Sequence, residues 1–212
     1  MGIFYFPCNF VYWRQIAKHQ IYKNKIIDII ENNKDMFVHH KLIANGSSSY
    51  VFKDKNLELI DNIKDLIQDV VWNTVDESLK ILNSRNNTPK ISINESFIES
   101  MWVSIYNENS TVATHEHYGG SSVVVNNNKL YTPSFTLVYI VKDPNERNTT
   151  VFVEPSMMSK SVYGMEEQLL DTSLENDIGE GTVLIFPSSL HHRVDMMKKT
   201  GRIIMSFNIA SK

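Results

Sequence analysis

The feature that most constrains the fold is a change in residue pattern after Lys90. Beyond this point, short runs rich in β-branched and aromatic residues alternate with Gly, Pro, Asn and Ser, the pattern of β-strands joined by turns. No strong helical periodicity separates these runs. We therefore predict strands at residues 101–106, 112–117, 122–125, 135–141, 150–153, 182–186 and 203–207.

Short strands with long, irregular connections favour two packed antiparallel sheets. A jelly roll of the cupin type is a leading solution for such a pattern. Helices that precede the strands in the chain would cover the outer face of one sheet. The predicted fold class is therefore α+β, with a jelly-roll core and buttressing helices at the N-terminal side.

The first hundred residues are predicted to be mainly helical. From Ile60 to Leu82, apolar residues recur at steps of three and four, while charged and polar residues take the other face. A second apolar stripe runs from Trp13 to Ile30, and the polar run at residues 45–50 is predicted to be a turn. We expect one structural domain, with residues 1–100 as a helical extension packed on a core formed by residues 101–212.

Composition narrows the class of protein further. The 212 residues carry a formal net charge of −3, which gives no electrostatic reason to expect a nucleic-acid partner. No apolar run approaches the roughly 20 residues that cross a bilayer, and the start of the chain lacks the pattern of a signal peptide. The single cysteine, Cys8, forms no internal disulfide. We predict a cytoplasmic protein without a membrane partner, and the oligomeric state stays open.

A pair of histidines lies at the end of one predicted strand. His115 and His117 are separated by Glu116, so in a strand both imidazoles project from one face and Glu116 faces away. This spacing is typical of metal ligands. A pair of this kind is also compatible with histidines that bind no metal, because neutral imidazole readily hydrogen-bonds to backbone groups.

Two downstream segments change the interpretation. A buried-looking strand at residues 182–186 ends in Pro187 and leads to the adjacent His191 and His192. Arg202 then opens a second apolar strand. A planar guanidinium can hold a carboxylate through two hydrogen bonds, so Arg202 is a candidate anchor for an acidic ligand. An arginine in this position could equally be a solvated strand end.

The combined order of motifs resembles a known family. Trp-x-x-x-Tyr at residue 102 is followed by His-x-His at residue 115, by Gly-x-x-x-x-Phe-Pro-Ser-x-Leu-x-His-x-Val at residue 181, and by Gly-Arg-Ile-Ile-Met-Ser-Phe-Asn at residue 201. The series is similar to the non-haem Fe(II)/2-oxoglutarate-dependent dioxygenases, and within them to a branch of small bacterial and phage proteins. The resemblance covers residues 101–208 and implies a double-stranded β-helix that binds Fe(II) and 2-oxoglutarate.

The resemblance also implies roles for individual residues. His192 matches the distal iron ligand, and Arg202 matches the residue that pairs with the far carboxylate of 2-oxoglutarate. Asn208 is expected to hydrogen-bond near Arg202 or to end its strand. Further positions match those that line the co-substrate pocket, although a strand tyrosine can also be plain core: Ser104, Tyr106 and Tyr139.

The chain departs from the family pattern at one ligand. The usual iron site has two histidines and one carboxylate. If His115 is the first ligand, the position of the acid holds His117, and the metal is bound by His115, His117 and His192. If His117 is first, that position holds Gly119 and is empty. The resemblance favours three histidines, and Glu116 could serve only if the strand is bulged.

The predicted function is an Fe(II)- and 2-oxoglutarate-dependent hydroxylase with His117, His192 and Arg202 as catalytic residues. It would use O₂ and release succinate and CO₂, and its substrate would be a peptide or protein side chain or an amino-acid-like small molecule. A flap at residues 161–178 and a loop at residues 119–132 would frame the substrate. Desaturation and halogenation remain open as outcomes. The alternatives are a cupin-like three-histidine metalloenzyme that does not use 2-oxoglutarate, and a non-catalytic jelly-roll binding module.

Overall fold

The chain folds into helices that cover one face of a curled antiparallel sheet. The computed structural model describes residues 10–50, 57–84, 90–117, 123–145, 150–153, 169–170 and 178–212. No helix within these ranges is long and apolar enough to cross a membrane. In chain order the elements are β1 (Tyr12–Gln15), α1 (His19–Glu31), a 3-10 turn (Lys34–Met36), β2 (Val38–His39), β3 (Ile43–Ser48), α2 (Leu57–Ser84), β4 (Ser96–His115), β5 (Val124–Asn126), β6 (Lys129–Lys142), β7 (Thr150–Val153), β8 (Leu169–Leu170), β9 (Thr182–Pro187), β10 (His192–Val194) and β11 (Arg202–Ser211).

Strand pairing curls the sheet around a cavity. The strands follow the order β1-β9-β6-β11-β4-β10-β7-β8, with β3 beside β4 and β5 beside β6. β4 replaces the two separate strands predicted in this region. Its first half pairs with β11, and its last part, at Val112 and His115, pairs with β10. Asn109, with a φ of 63°, marks the change of direction between these halves. The curled antiparallel sheet and its covering helices confirm the predicted α+β fold class with a double-stranded β-helix core.

Side chains alternate between the two faces of the sheet. In β11, Ile203, Met205 and Phe207 pack into the core under the helices, whereas Ile204 and Ser206 face the cavity. This two-residue period is the geometry of any strand. The helix predicted between residues 60 and 82 is confirmed as α2, and its apolar stripe is buried against the sheet at Ile63, Ile67, Val70, Val71 and Val75.

Parts of the N-terminal region are strands that the sequence pattern did not predict. β1 pairs with β9 at an edge of the sheet, and β3 pairs with β4. The turn predicted at residues 45–50 is therefore wrong for most of its length. These strands are short, and β3 is rich in Gly, Asn and Ser, so they depend on a partner strand more than on local preference. The boundary at residue 100 stays a prediction, and Cys8 and most of the predicted flap lie outside the described residues.

Gly46 allows β3 to approach β4 closely. A Cβ atom at this position would lie 2.7 Å from the Ile105 carbonyl oxygen and 2.5 Å from Ile43 Cγ2. We expect Gly46→Ala to lower the free energy of unfolding by about 1–3 kcal/mol, because backbone must move to accommodate the methyl group. Gly179→Ala is the matched control, since a Cβ there meets nothing within 4 Å. Equal denaturant midpoints for the two variants would contradict this account of β3.

Glu95 joins the start of β4 to β6 through an exposed cluster of hydrogen bonds. Lys129 Nζ donates to both of its carboxylate oxygens at 2.9 and 3.0 Å, and Tyr131 Oη donates at 2.8 Å. These bonds lower the pKa of Glu95 from 4.5 to about 2. A carboxyl group with a lower pKa in the folded state stabilises the protein above its unfolded pKa, and the contribution is lost as protons bind.

A pH prediction follows from this cluster. The melting temperature of Glu95→Gln should lie below that of the wild type at pH 6, and the difference should shrink as the pH falls from 4.5 towards 2. Glu99→Gln, at an exposed position of β4, is the control. Thermal melts across this range measure the effect, and a difference between wild type and Glu95→Gln that does not change with pH would refute it.

Candidate metal centre

Three histidines from β4 and β10 converge on one point. The strand register places His192 opposite His115, and His117 follows two residues later. One ring nitrogen of each histidine lies within 4.8 Å of the others. His115 Nε2 and His117 Nε2 are 3.2 Å apart. The structure therefore brings together the three residues that the sequence singled out as metal ligands.

Backbone acceptors fix the protonation of two of these rings. His115 Nδ1 lies 2.9 Å from the Ala113 carbonyl oxygen, and His192 Nδ1 lies 3.0 Å from the Leu190 carbonyl oxygen. A carbonyl oxygen can only accept, so each Nδ1 carries the proton and donates it. Each Nε2 is then left with a lone pair directed at the centre of the group. A ligand histidine whose other nitrogen donates to a carbonyl is a recurrent feature of metal sites.

The third ring is held in the same protonation state by a side chain. His117 Nδ1 lies 2.9 Å from Asn208 Oδ1. With its proton on Nδ1, His117 also presents an Nε2 lone pair, so the 3.2 Å contact with His115 Nε2 brings two lone pairs together. A cation bound to both nitrogens at about 2.1 Å would remove this repulsion and match the separation.

Burial keeps the three imidazoles neutral. It lowers the pKa of His117 to about 4, an effect that the hydrogen bond to Asn208 partly opposes. Burial also lowers the pKa of His115, and it lowers the pKa of His192 well below the usual value, with further repulsion from the other two rings. Neutral imidazole is the form that binds a metal ion. At pH 7 the group is thus ready to bind a cation without first losing protons.

The group of ligand residues contains no carboxylate within the part of the chain that the structure describes. Glu116 lines the adjacent cavity, but its carboxylate is not among the atoms that lie within 4.8 Å of one another. Gly119, the alternative position of the acid, lies outside the described residues. The observed donor set is therefore His115, His117 and His192, which is the arrangement that the resemblance favoured.

The three histidines open onto a cavity of about 340 Å³ between the two layers of the sheet. Ser104, Tyr106 and Asn208 line this cavity, and their role in co-substrate binding stays a prediction. Several other lining residues, among them Trp102, were not predicted. Strand alternation could have identified Trp102, since it shares a face of β4 with Ser104 and Tyr106. The additional lining residues include Tyr50, Trp102, Thr150 and Ser206.

The prediction that Tyr139 lines the cavity is wrong. Tyr139 is fully buried in the core under the helices, and its hydroxyl lies 2.7 Å from His19 Nδ1. Burial raises the pKa of this hydroxyl. The neighbouring Val138 faces the cavity instead. In a strand, an assignment that is off by one residue places the side chain on the opposite face.

Arg202 lies behind the cavity wall and is completely buried. Its Nε donates to Asp143 Oδ2 at 2.9 Å, and its Nη2 donates to Thr150 Oγ1 at 3.2 Å. The guanidinium carbon is 5.7 Å from the centre of the Tyr106 ring. Arg202 Nη1 is buried and has no hydrogen-bond partner among the described residues. Because buried N–H groups are nearly always paired, this nitrogen indicates a place for an acceptor group.

Thr150 connects the buried Arg202 to the cavity that the histidines line. Thr150, which accepts from Arg202, lies two residues along β7 from Phe152, the partner of His192 in the sheet. Two residues of a strand span about 7 Å. Asn208 lies at the histidine end of the cavity, where its Oδ1 is 2.9 Å from His117 Nδ1.

Comparisons with known proteins identify the fold. No protein-family model matches the chain, and no curated protein matches it in sequence. OsALKBH1 is similar in structure, with a TM-score of 0.61, 11% identity, and 97% of this chain and 100% of that chain covered. HygX from Streptomyces hygroscopicus was solved with nickel, 2-oxoglutarate and hygromycin B. Its TM-score is 0.58 at 12% identity, with 95% of this chain and 83% of that chain covered.

A third similar structure is a prolyl hydroxylase from Trichoplax adhaerens in complex with a peptide fragment of the hypoxia inducible factor oxygen degradation domain. Its TM-score is 0.52 at 12% identity, with 93% of this chain and 82% of that chain covered. Such low identities over nearly the whole chain establish a common fold. The chain therefore has the double-stranded β-helix of the 2-oxoglutarate/Fe(II) oxygenases, which confirms the resemblance at the level of the fold.

Proposed function

We propose that the protein is an Fe(II)- and 2-oxoglutarate-dependent dioxygenase. It would hydroxylate a peptide or protein side chain, or an amino-acid-like small molecule, with O₂ as the oxidant and succinate and CO₂ as the other products. The observation that carries this proposal is the convergence of three Nε2 lone pairs, two of them 3.2 Å apart, on a cavity that also leads to a buried arginine. The fold shared with known oxygenases supports it.

His115, His117 and His192 would hold the iron. Three protein ligands on one side of a six-coordinate ion leave the other positions to the co-substrate and O₂. Imidazole also suits zinc and copper, so the histidines alone do not select iron. A buried arginine behind the wall of the same cavity favours a metal that works with an acidic co-substrate. In the three-histidine site His117 would fill the position of the usual carboxylate, which a halide would need, and this favours hydroxylation over halogenation.

Arg202 would bind the far carboxylate of 2-oxoglutarate through Nη1, with Thr150 and Tyr106 beside it. The carboxylate would give the buried Nη1 the acceptor it needs, and the keto acid would then point towards the histidines. When bound, iron and 2-oxoglutarate supply the oxidative chemistry, in which one oxygen atom of O₂ enters succinate and the other enters the substrate C–H bond. The chain would contribute the cavity and the orientation of the bound groups.

The substrate would enter beside Tyr50 and Trp102. These rings are 5.1 Å apart, and the Trp102 ring lies 5.3 Å from that of His117, so an aromatic wall leads to the candidate metal centre. Structures with this fold have been solved with hygromycin B and with a peptide fragment, and these ligands support a small molecule and a peptide as the two candidate substrate classes. We also propose that the protein is cytoplasmic and has no nucleic-acid or membrane partner.

A cupin-like metalloenzyme that does not use 2-oxoglutarate is the second candidate. The three-histidine donor set favours it, because the usual site in the dioxygenases includes a carboxylate. In that case Arg202 would anchor an acidic substrate directly. In a binding module without metal, the 3.2 Å contact between His115 and His117 would be a hydrogen bond between the two rings.

Anaerobic titration separates these candidates. Fe(II) should raise the melting temperature, since a ligand of the folded state stabilises it. Subsequent addition of 2-oxoglutarate should then give a visible charge-transfer band, and admission of O₂ should release succinate. A melting temperature that rises without any such band would favour the cupin-like enzyme. If Fe(II), Mn(II), Co(II) and Zn(II) all leave the melting temperature unchanged, the proposal fails.

A further inference from the structure

Asn208 provides the only side-chain acceptor among the three hydrogen bonds that fix the candidate ligands. His115 and His192 donate to backbone carbonyls within two residues of themselves. His117 instead donates to Asn208 Oδ1, across the sheet on β11. His117 also lies beyond the last residue of β4, so strand geometry does not set the orientation of its ring.

The orientation of this amide decides which nitrogen of His117 is free. With Oδ1 towards the ring, Nδ1 carries the proton and Nε2 has a lone pair. The reversed amide would donate to Nδ1 and force the proton onto Nε2, which points at His115 Nε2 from 3.2 Å. In the first orientation, the hydroxyl of Thr136 can also donate to Asn208 Oδ1, at 3.5 Å.

We propose that Asn208 is a positioning residue that holds His117 in the protonation state and orientation needed to bind metal. This inference rests on the proposed metal site. It gives Asn208 a role at the histidine end of the cavity and not in binding the co-substrate. Asn208 acts on the metal only through the His117 ring. Its effect should therefore depend on an acceptor atom at this position and not on the amide as such.

Metal affinity in matched variants tests the acceptor. Asn208→Ala removes the acceptor, and the affinity for Co(II), measured by calorimetry, should fall about 10- to 100-fold, as for other residues that orient metal ligands. Asn208→Asp keeps an acceptor of the same shape that cannot donate, so it should bind Co(II) at least as tightly as the wild type. Thr136→Val removes only the longer contact at 3.5 Å and should change the affinity little.

A second measurement detects the protonation state without metal. The nitrogen chemical shifts of the His117 ring should report a proton on Nδ1 in the wild type and in Asn208→Asp, and a mixture of both forms in Asn208→Ala. Melting temperatures of the metal-free variants show that each one folds. If Asn208→Ala binds Co(II) as tightly as the wild type while His117→Ala does not, the inference is wrong and the metal site stands. A wild type that binds no metal overturns both.

Discussion

His192→Ala should abolish metal binding and reduce succinate formation to the background rate. His192 is buried at the start of β10, and its Nε2 is one of the three nitrogens that converge. At a Fe(II) concentration of about 100 times Kd, the wild type should gain about 2.7 kcal/mol of stability, and the variant should gain none. Thermal melts with and without Fe(II) measure the gain, and coupled detection of succinate measures turnover.

His191→Ala is the matched control for this prediction. The side chain of His191 is exposed next to His192, and its backbone carbonyl accepts a hydrogen bond from the Val153 amide. This variant should keep both the Fe(II)-dependent stabilisation and turnover. His192→Gln preserves most of the buried volume and guards against a loss of fold. If His192→Gln retained the full Fe(II) effect, the three-histidine site would be disproved.

Arg202→Ala should lose 2-oxoglutarate binding and also destabilise the fold. Arg202 and Asp143 form an ion pair with side chains 0% and 2% exposed. Removing one member leaves a buried charge without its partner, which typically costs about 3–5 kcal/mol. The same change removes the buried Nη1 that awaits an acceptor. A loss of activity in this variant alone would therefore have two causes.

A double variant separates these causes. Arg202→Met with Asp143→Asn removes both charges while preserving volume, and such replacements are often neutral for stability. We expect it to melt close to the wild-type temperature and to bind Fe(II) through intact histidines, yet to show no charge-transfer band at any practical 2-oxoglutarate concentration. Saturation by 2-oxoglutarate at wild-type concentrations in this variant would show that Arg202 does not anchor the co-substrate.

The sequence predicted those residues whose placement follows from strand geometry. The two-residue spacing of His115 and His117 predicted two rings on one face, although His117 lies beyond the end of β4, and the turn after Pro187 brings His192 opposite His115. The prediction for Tyr139 was wrong because of the same strand alternation: a shift of one residue on β6 exchanges the cavity face for the helix face. Periodicity in a sequence thus identifies a face only when the register is known.

Other features could not be read from the sequence because they depend on tertiary contacts. Asp143 follows β6 and meets Arg202 only through the pairing of β6 with β11. Thr150 becomes a partner of Arg202 through β7, and Asn208 reaches His117 across the sheet. A single polar residue at a strand end has no local signal that distinguishes such a role from ordinary solvation.

Anomalous diffraction tests the central claim most directly. Crystals grown without oxygen in the presence of Fe(II) and 2-oxoglutarate should show, at the iron absorption edge, a peak about 2.1 Å from Nε2 of His115, His117 and His192. The far carboxylate of 2-oxoglutarate should lie against Arg202 Nη1. An iron peak elsewhere, or no peak among these three nitrogens at saturating Fe(II), would contradict the account.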